Sequence, residues 1–335
     1  MSIKVGINGF GRIGRNILRI GLERNDIEFV GINDISDAKT LSHLFKYDSI
    51  FRSFKGDVKS ENGHMVIDGK PIRIFSERNP ANIPWQDVGA QIVAEASGVF
   101  RSKEEVSAHL GETVKKAVIT APAKGEIDFT AVLGANESAY DPQNHHIISN
   151  ASCTTNCFSM IVKVLHENFG IVKGQMTTVH SYTNDQQILD APHKDLRRAR
   201  AAAMSIIPTS TGAASAIKLV FPELEGKMSA IALRVPTPDV SVVDFNCEVE
   251  KSTTVEEINE KYKQAAEGEL KGYLRYSDEE LVSSDFIGDP HSAIFDAPLT
   301  SVVQGNLVKV VGWYDNEYGY SSRVVDLIEY VGGKL

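Results

Sequence analysis

The segment Asn150-Ala151-Ser152-Cys153-Thr154-Thr155-Asn156-Cys157 separates an apolar run ending near Ser149 from a helical pattern carried by Ile161, Val162, Leu165 and Phe169. That arrangement puts Cys153 at a helix N-terminus, where backbone N–H groups and the positive end of the helix dipole favour a thiolate, the form of cysteine that attacks a carbonyl carbon. Polar neighbours keep the position open. Cys157 and Cys247 have no charged or ligating residues near them and read as structural. A thiol nucleophile needs a base, and His180 is the best placed of the nine histidines. It sits among hydroxyl residues in Thr177-Thr178-Val179-His180-Ser181-Tyr182-Thr183, near a strand end. Its ordinary titration range suits proton shuttling.

A second motif handles phosphates. Gly9-Phe10-Gly11-Arg12-Ile13-Gly14 follows the strand-like run Ile3 to Ile7 and opens a helical pattern, so the glycines can turn tightly and admit a pyrophosphate to backbone N–H groups. A second run, Ile27 to Ile32, ends in Asn33-Asp34, and Asp34 is placed to hold a ribose diol. The acid would repel a 2′-phosphate, which favours NAD over NADP. Further anion-holding candidates lie in the second half. They are Lys194-Asp195-Leu196-Arg197-Arg198-Ala199-Arg200, the hydroxyl-rich Pro208-Thr209-Ser210-Thr211-Gly212-Ala213-Ala214, and Arg234 before Pro236.

The elements that must position these residues divide the chain in two. Apolar runs at Ile3 to Ile7, Ile27 to Ile32, Gln91 to Ala94, Ala117 to Thr120 and His146 to Ser149 read as buried parallel strands. Helical stretches such as Arg12 to Glu23 and Lys103 to Leu110 lie between them, predicting a doubly wound α/β sheet of Rossmann type. Beyond about Asn150 the runs lengthen and partly alternate, at Met176 to Tyr182, Ile231 to Val235, Val240 to Val249 and Leu307 to Tyr314. An α+β catalytic domain with a largely antiparallel sheet is expected there, with helices at Thr154 to Asn168 and Val255 to Glu267. The resulting division is 1-150 for the dinucleotide and 151-316 for substrate, with a C-terminal helix in 317-335 folding back on the first domain.

Composition limits the alternatives. The 335 residues, 42% apolar, suffice for two packed cores, and a net charge of −9 argues against a dedicated nucleic-acid binder. Three cysteines supply neither a disulfide framework nor a four-ligand metal site. No metal is expected. With no basic leader or long apolar run, the reading is of a soluble cytoplasmic protein without a membrane partner.

Over essentially its whole length the sequence resembles the glyceraldehyde-3-phosphate dehydrogenase family. The resemblance is carried by Asn8 to Arg15, Ala151 to Cys157, His180-Ser181-Tyr182-Thr183, Leu196 to Ala202, Ser210 to Ala214, Arg234 to Pro238 and Trp313-Tyr314-Asp315-Asn316-Glu317. It implies a homotetrameric, glycolytic or gluconeogenic NAD-dependent oxidoreductase. Such an enzyme makes 1,3-bisphosphoglycerate from glyceraldehyde 3-phosphate and inorganic phosphate through a cysteine thioester, with Cys153 and His180 at the catalytic positions.

By the same resemblance, Ser152, Thr154, Arg198, Thr211 and Gly212 match one phosphate subsite, and Thr183 and Arg234 match the other. Gly9, Gly11, Arg12, Ile13, Gly14 and Asp34 match cofactor contacts. Arg78 and Thr120 match positions lining the cofactor groove, and Asn316 matches the residue that orients the nicotinamide amide. Residues from about Ser181 to Met204 match a loop reaching toward a neighbouring subunit. Ala191-Pro192 departs from the usual Leu-Pro of NAD-using members, which leaves room for some NADP use. Erythrose-4-phosphate dehydrogenase shares the Cys and His motifs, but Ser210-Thr211-Gly212 and Tyr182-Thr183 favour the glyceraldehyde enzyme. A nucleotide-binding regulator without turnover, or a nucleic-acid binder using Arg197 to Arg200, are the readings from other classes.

Overall fold

The fold was obtained as a computed structural model that describes residues 2–335. It consists of two units. Among the described residues, the first comprises 2–131, 137–151 and 321–335, and the second 132–136 and 152–320.

The first unit is organised on a nine-stranded sheet. Strand Ile3–Asn8 lies near its middle, paired in parallel with Ile27–Asn33 on one side and Ile92–Glu95 on the other. Lys116–Ile119, Ile147–Ser149 and Phe129–Thr130 continue the parallel order outward. These central strands are near-continuous apolar runs because both faces are covered: Val5, Ile7, Val93, Ala94, Ala117 and Val118 are fully buried.

The opposite edge departs from the all-parallel expectation. Lys70–Phe75 pairs in parallel with Ile27–Asn33, and His64–Ile67 and Val58–Glu61 then add on antiparallel. Two tight hairpins produce this edge. Asn62-Gly63 (φ 49° and 76°) and Asp68-Gly69 (φ 48° and 81°) supply the consecutive left-handed residues that such turns demand. Strand His64–Ile67 alternates between partly and fully buried residues, and its apolar run, Met65-Val66-Ile67, is only three residues long.

Helix ends shift from their expected positions, as Arg12–Gly21 stops two residues before Glu23. The helix expected over Lys103 to Leu110 is only Lys103–Ser107, opened by a capping box between Ser102 and Glu105. Its continuation turns, with the N–H groups of His109 and Leu110 bonding to Val106 and Ser107. The C-terminal helix is Tyr318–Gly332, and its later part packs on the first sheet's start, where a Cβ on Gly332 would stand 2.4 Å from Ile3 Cδ1. Arg24 reaches Asp326 on this helix at 2.7 Å.

The second unit carries an eight-stranded sheet. Its pairing is mixed. Strand Ile171–Ser181 runs parallel to Met228–Val235, from Gly174↔Met228 to Ser181↔Val235, and antiparallel to Ser241–Val249 on its other side. Leu274–Ser277 and Ala293–Asp296 form another parallel pair. The remaining pairs, including Ser241–Val249 with Leu307–Tyr314, are antiparallel.

Helices Cys153–Phe169 and Val255–Glu267 pack in this unit. Phe158 meets Phe245 edge-on at 4.9 Å, and Tyr262 stacks on Phe295 at 3.8 Å while donating from its hydroxyl to Ile161 O at 2.6 Å. Such fully buried aromatics each contribute about 2–3 kcal/mol of apolar burial. Among the described residues, no helix is long and apolar enough to cross a membrane.

Candidate active site

Local chain geometry accounts for the meeting of cysteine and histidine. Ala151 adopts φ 54°, and Ser152 behind it is the N-cap, its Oγ accepting the Thr155 N–H at 3.0 Å. Cys153 is therefore the first helical residue. The 17-residue helix rises ~25 Å, Gly170 (φ 71°) reverses the chain, and the strand from Ile171 returns by ~30 Å at its tenth residue. That residue is His180. Its Nε2 lies 3.5 Å from Cys153 Sγ, a contact between two residues 27 positions apart.

Behind the ring stands Arg234, on the parallel strand and directly in register with His180. Its Nη1 is 2.7 Å from His180 Nδ1 and donates to Ser181 O at 2.9 Å, while Nδ1 is itself 2.7 Å from that carbonyl. Burial, followed by the Arg234 charge, pushes the His180 imidazole down to about 3, against the pull of the Ser181 carbonyl. Burial pushes the Cys153 thiol up, and it outweighs the lowering by Arg234 and by the Thr154 N–H. Burial therefore works against the helix start at Cys153. It also favours a neutral His180 imidazole, the form a general base requires before it acts.

Tyr314 ties the two catalytic segments together. Its buried hydroxyl is 2.9 Å from Thr154 Oγ1, next to the cysteine, and 2.9 Å from Thr178 Oγ1, two residues before the histidine. Its ring meets His180 edge-on at 5.9 Å. Two residues on, Asn316 is fixed through its Oδ1, which accepts the Ser241 hydroxyl at 2.7 Å. Neither Tyr314 nor Ser241 was legible as a site residue, since each acts through a partner more than 70 positions away.

The other anion candidates lie at the start of helix Cys153–Phe169 and on loops of the same unit, and of them Thr154 hydrogen-bonds to Cys153. Ser152 is occupied as the helix cap, and Thr154 is buried against Tyr314. Arg198 is paired with Asp185 and lies 3.3 Å from Asp195, so an incoming anion would compete with two carboxylates. Thr183 donates its N–H to Gln186 at 3.3 Å. The Thr211 hydroxyl accepts from Ala213 N at 3.3 Å, with Gly212 capping the short helix Ala213–Ile217.

In the first unit, Gly9 (φ 90°) turns the chain at the end of strand Ile3–Asn8, and a Cβ there would sit 2.4 Å from Ser97 backbone. A Cβ on Gly14 would meet Gly9 O at 2.2 Å, so both glycines are dictated by close approach. Gly11, the N-cap of helix Arg12–Gly21, contributes no side chain to the first turn, which also holds Ile13. Asp34 accepts from the N–H groups of Phe10 and Ser36, at 2.8 and 2.9 Å, and is thereby held beside the glycine turn. This tight turn with an anchored acid fits a dinucleotide. The Arg12 side chain is paired with Asp48. Thr120 donates to Glu95 O at 3.2 Å, and Arg78 is exposed.

A parallel α/β dinucleotide fold joined to a unit that presents a thiol beside an imidazole defines a class of nicotinamide-dependent oxidoreductases. Residues 3–103 match the glyceraldehyde 3-phosphate dehydrogenase NAD binding domain, and residues 152–316 match the C-terminal domain of the same family. The chain belongs to that family. It is 58% identical to glyceraldehyde-3-phosphate dehydrogenase of Geobacillus stearothermophilus over 100% of this chain and 99% of the relative. It is 56% identical to glyceraldehyde-3-phosphate dehydrogenase 2 of Streptomyces avermitilis over 100% of both chains, and 56% identical to glyceraldehyde-3-phosphate dehydrogenase 1 of Bacillus cereus over 99% of both.

Proposed function

We propose that this NAD-dependent dehydrogenase converts glyceraldehyde 3-phosphate and inorganic phosphate to 1,3-bisphosphoglycerate, with Cys153 as nucleophile and His180 as base. The observation that carries the assignment of roles is the 3.5 Å approach of His180 Nε2 to Cys153 Sγ. As sulfur attacks the aldehyde carbon, Nε2 takes the thiol proton and returns it to the carbonyl oxygen, giving a hemithioacetal on Cys153. His180 then removes the hydroxyl proton while the C–H bonding pair departs as hydride, leaving a thioester. Bound NAD supplies the acceptor for that hydride. Phosphate oxygen attacks the thioester, the C–S bond breaks, and sulfur leaves as thiolate.

Two anion subsites follow from this chemistry. Arg234, near the catalytic pair, and Thr183 suit one phosphate group; Ser152, Thr154, Arg198, Thr211 and Gly212 suit the other. For the cofactor, the backbone around Gly9, Gly11, Arg12, Ile13 and Gly14 would hold the pyrophosphate and Asp34 a ribose diol, with Arg78 and Thr120 beside them. Asn316, held by Ser241, would orient the nicotinamide amide. Residues 1-150 with the C-terminal helix serve the cofactor in this reading, and 151-316 the substrate. The homotetramer expected from the resemblance would cover large apolar side chains exposed in one stretch, among them Ile188 (84%), Leu189 (71%), Leu196 (82%) and Met204 (81%). The enzyme works in the cytoplasm in this reading.

Stopped-flow absorbance tests the scheme. Without phosphate, glyceraldehyde 3-phosphate and NAD should give a burst of about one NADH per site, and phosphate should restore steady turnover. Cys153→Ser should abolish the burst, and normal turnover in that variant would overturn the mechanism. Erythrose 4-phosphate and NADP run in parallel should be the poorer substrate and cofactor.

A further inference from the structure

The carboxyl ends of three adjacent parallel strands in the first unit are joined by a chain of polar side chains that the proposed chemistry does not use. Asn33, ending Ile27–Asn33, donates to Asn8 Oδ1 at 2.7 Å and to Glu77 O at 2.9 Å, and accepts from Glu77 N at 2.8 Å. Asn8, ending Ile3–Asn8, donates to Glu95 Oε2 at 2.5 Å. Glu95, ending Ile92–Glu95, accepts on its other oxygen from the Ser97 N–H at 2.9 Å and the Ser97 hydroxyl at 2.5 Å.

One histidine completes the set. The Trp85 indole is a donor only, and it lies 3.2 Å from His109 Nδ1, so the ring proton sits on Nε2 and is donated to Glu95 Oε2 at 2.9 Å. The Glu95 and His109 side chains are both 0% exposed. A carboxylate buried this completely costs several kcal/mol that apolar packing would not, so its four donors do not recommend it as a stabilising device.

The network's geometry shows what it holds. Gly9 follows Asn8 directly and is seated against the backbone of Ala96 and Ser97, with Cβ room of 2.4 Å to Ser97 N. Ala96 N bonds to Asn8 O at 2.7 Å, and Gly9 N to Asn33 O at 2.8 Å. A single carboxylate therefore grips the residue before the glycine turn and the residue facing it. We propose that Glu95 is a positioning residue for the dinucleotide: it fixes the spacing between the Gly9 turn and Ser97, and with it the placement of the backbone groups offered to the pyrophosphate. The inference rests on the cofactor reading of this turn and is independent of the roles given to Cys153 and His180.

The test is NAD affinity, measured by calorimetry on the full-length protein. Glu95→Gln keeps the shape but places an amide N–H2 against at least one existing donor, and it should weaken NAD binding about tenfold, the equivalent of one charge-assisted hydrogen bond. KM for NAD should rise in parallel, while the KM for glyceraldehyde 3-phosphate and the burst amplitude at saturating NAD stay within about twofold. Ser97→Ala removes one of the four bonds at a partly exposed position and should weaken NAD about threefold, with Ser97→Thr, which keeps the hydroxyl, restoring it. Unchanged NAD affinity in Ser97→Ala, or in a folded Glu95→Gln whose thermal midpoint alone has fallen, would overturn the proposal. Absence of a burst in the parent enzyme would instead count against the Cys153 mechanism and leave the NAD measurement standing.

Discussion

Arg234 and His180 are direct register partners on neighbouring parallel strands, with Nη1 2.7 Å from Nδ1 on the side of the ring away from Cys153. The guanidinium thus acts on both members of the catalytic pair. Its charge lowers the thiol and lowers the imidazole, so it favours the thiolate and disfavours the imidazolium.

Removing that charge should move both groups upward. Arg234→Gln is expected to shift the pH profile of Cys153 alkylation by iodoacetamide to higher pH, because the thiolate loses a cation that lowers the thiol. A profile that stays in place, or moves to lower pH, would refute this electrostatic role. The variant should also raise the KM for glyceraldehyde 3-phosphate if Arg234 holds one of its phosphate groups.

His180→Asn keeps a polar side chain of similar size and removes the base. The rate of the NADH burst should fall by about 10²–10⁴-fold, the usual contribution of a positioned general base. Its amplitude should remain near one per site, since the nucleophile is still present. Because burial holds His180 far below its ordinary value, the parent burst rate should show no inflection from this histidine near pH 6.5. An inflection there that disappears in His180→Asn would contradict the buried, neutral state.

Asp239 and Asp315 are a buried acid pair beside the segment that carries Asn316. Burial, together with the charges of Asp315 and Glu317, raises Asp239 far above the carboxylate range despite the Val240 N–H. Asp315 is raised by burial as well, against N–H bonds from Gly288, Tyr318 and Glu317. A raised folded-state value stabilises below the unfolded value of about 3.9, and that contribution is lost as pH climbs through neutrality toward the raised value. Asp239→Asn cannot ionise. Its stability relative to the parent, measured by urea unfolding, should therefore increase steadily from pH 4 to pH 9; a difference that is flat or falls over that range would disprove the assignment.

Much of this arrangement could be read from the sequence because it rests on local rules. Ser152 is a helix cap by residue type, and the glycines of the Gly9 to Gly14 turn are required by contacts within that turn and across to Ser97. Even the meeting of Cys153 and His180 follows from one helix and one returning strand of comparable length. The Asn62-Gly63 and Asp68-Gly69 turns are equally local signals, yet the strand between them, His64–Ile67, is only four residues long, and Val58–Glu61 before them is charged and largely exposed. What stayed hidden are relationships fixed only by sheet order. Glu95 reaches Asn8 across 87 positions, Tyr314 reaches Thr154 across 160, and the Asp185 carboxylate that occupies Arg198 belongs to an irregular loop. No periodicity in the chain encodes such pairs.

The chain of hydrogen bonds from the Glu77 backbone through Asn33, Asn8 and Glu95 to His109 and Trp85 has a bearing on how the protein can change over time. Each interior member spends its hydrogen-bonding groups on its neighbours, so a lone replacement strands a buried donor or acceptor, at about 1–3 kcal/mol. Asn8, Asn33, Glu95 and His109 lie on different strands and loops but are coupled in energy through these bonds. A change at one of them is therefore eased by a compensating change at its partner.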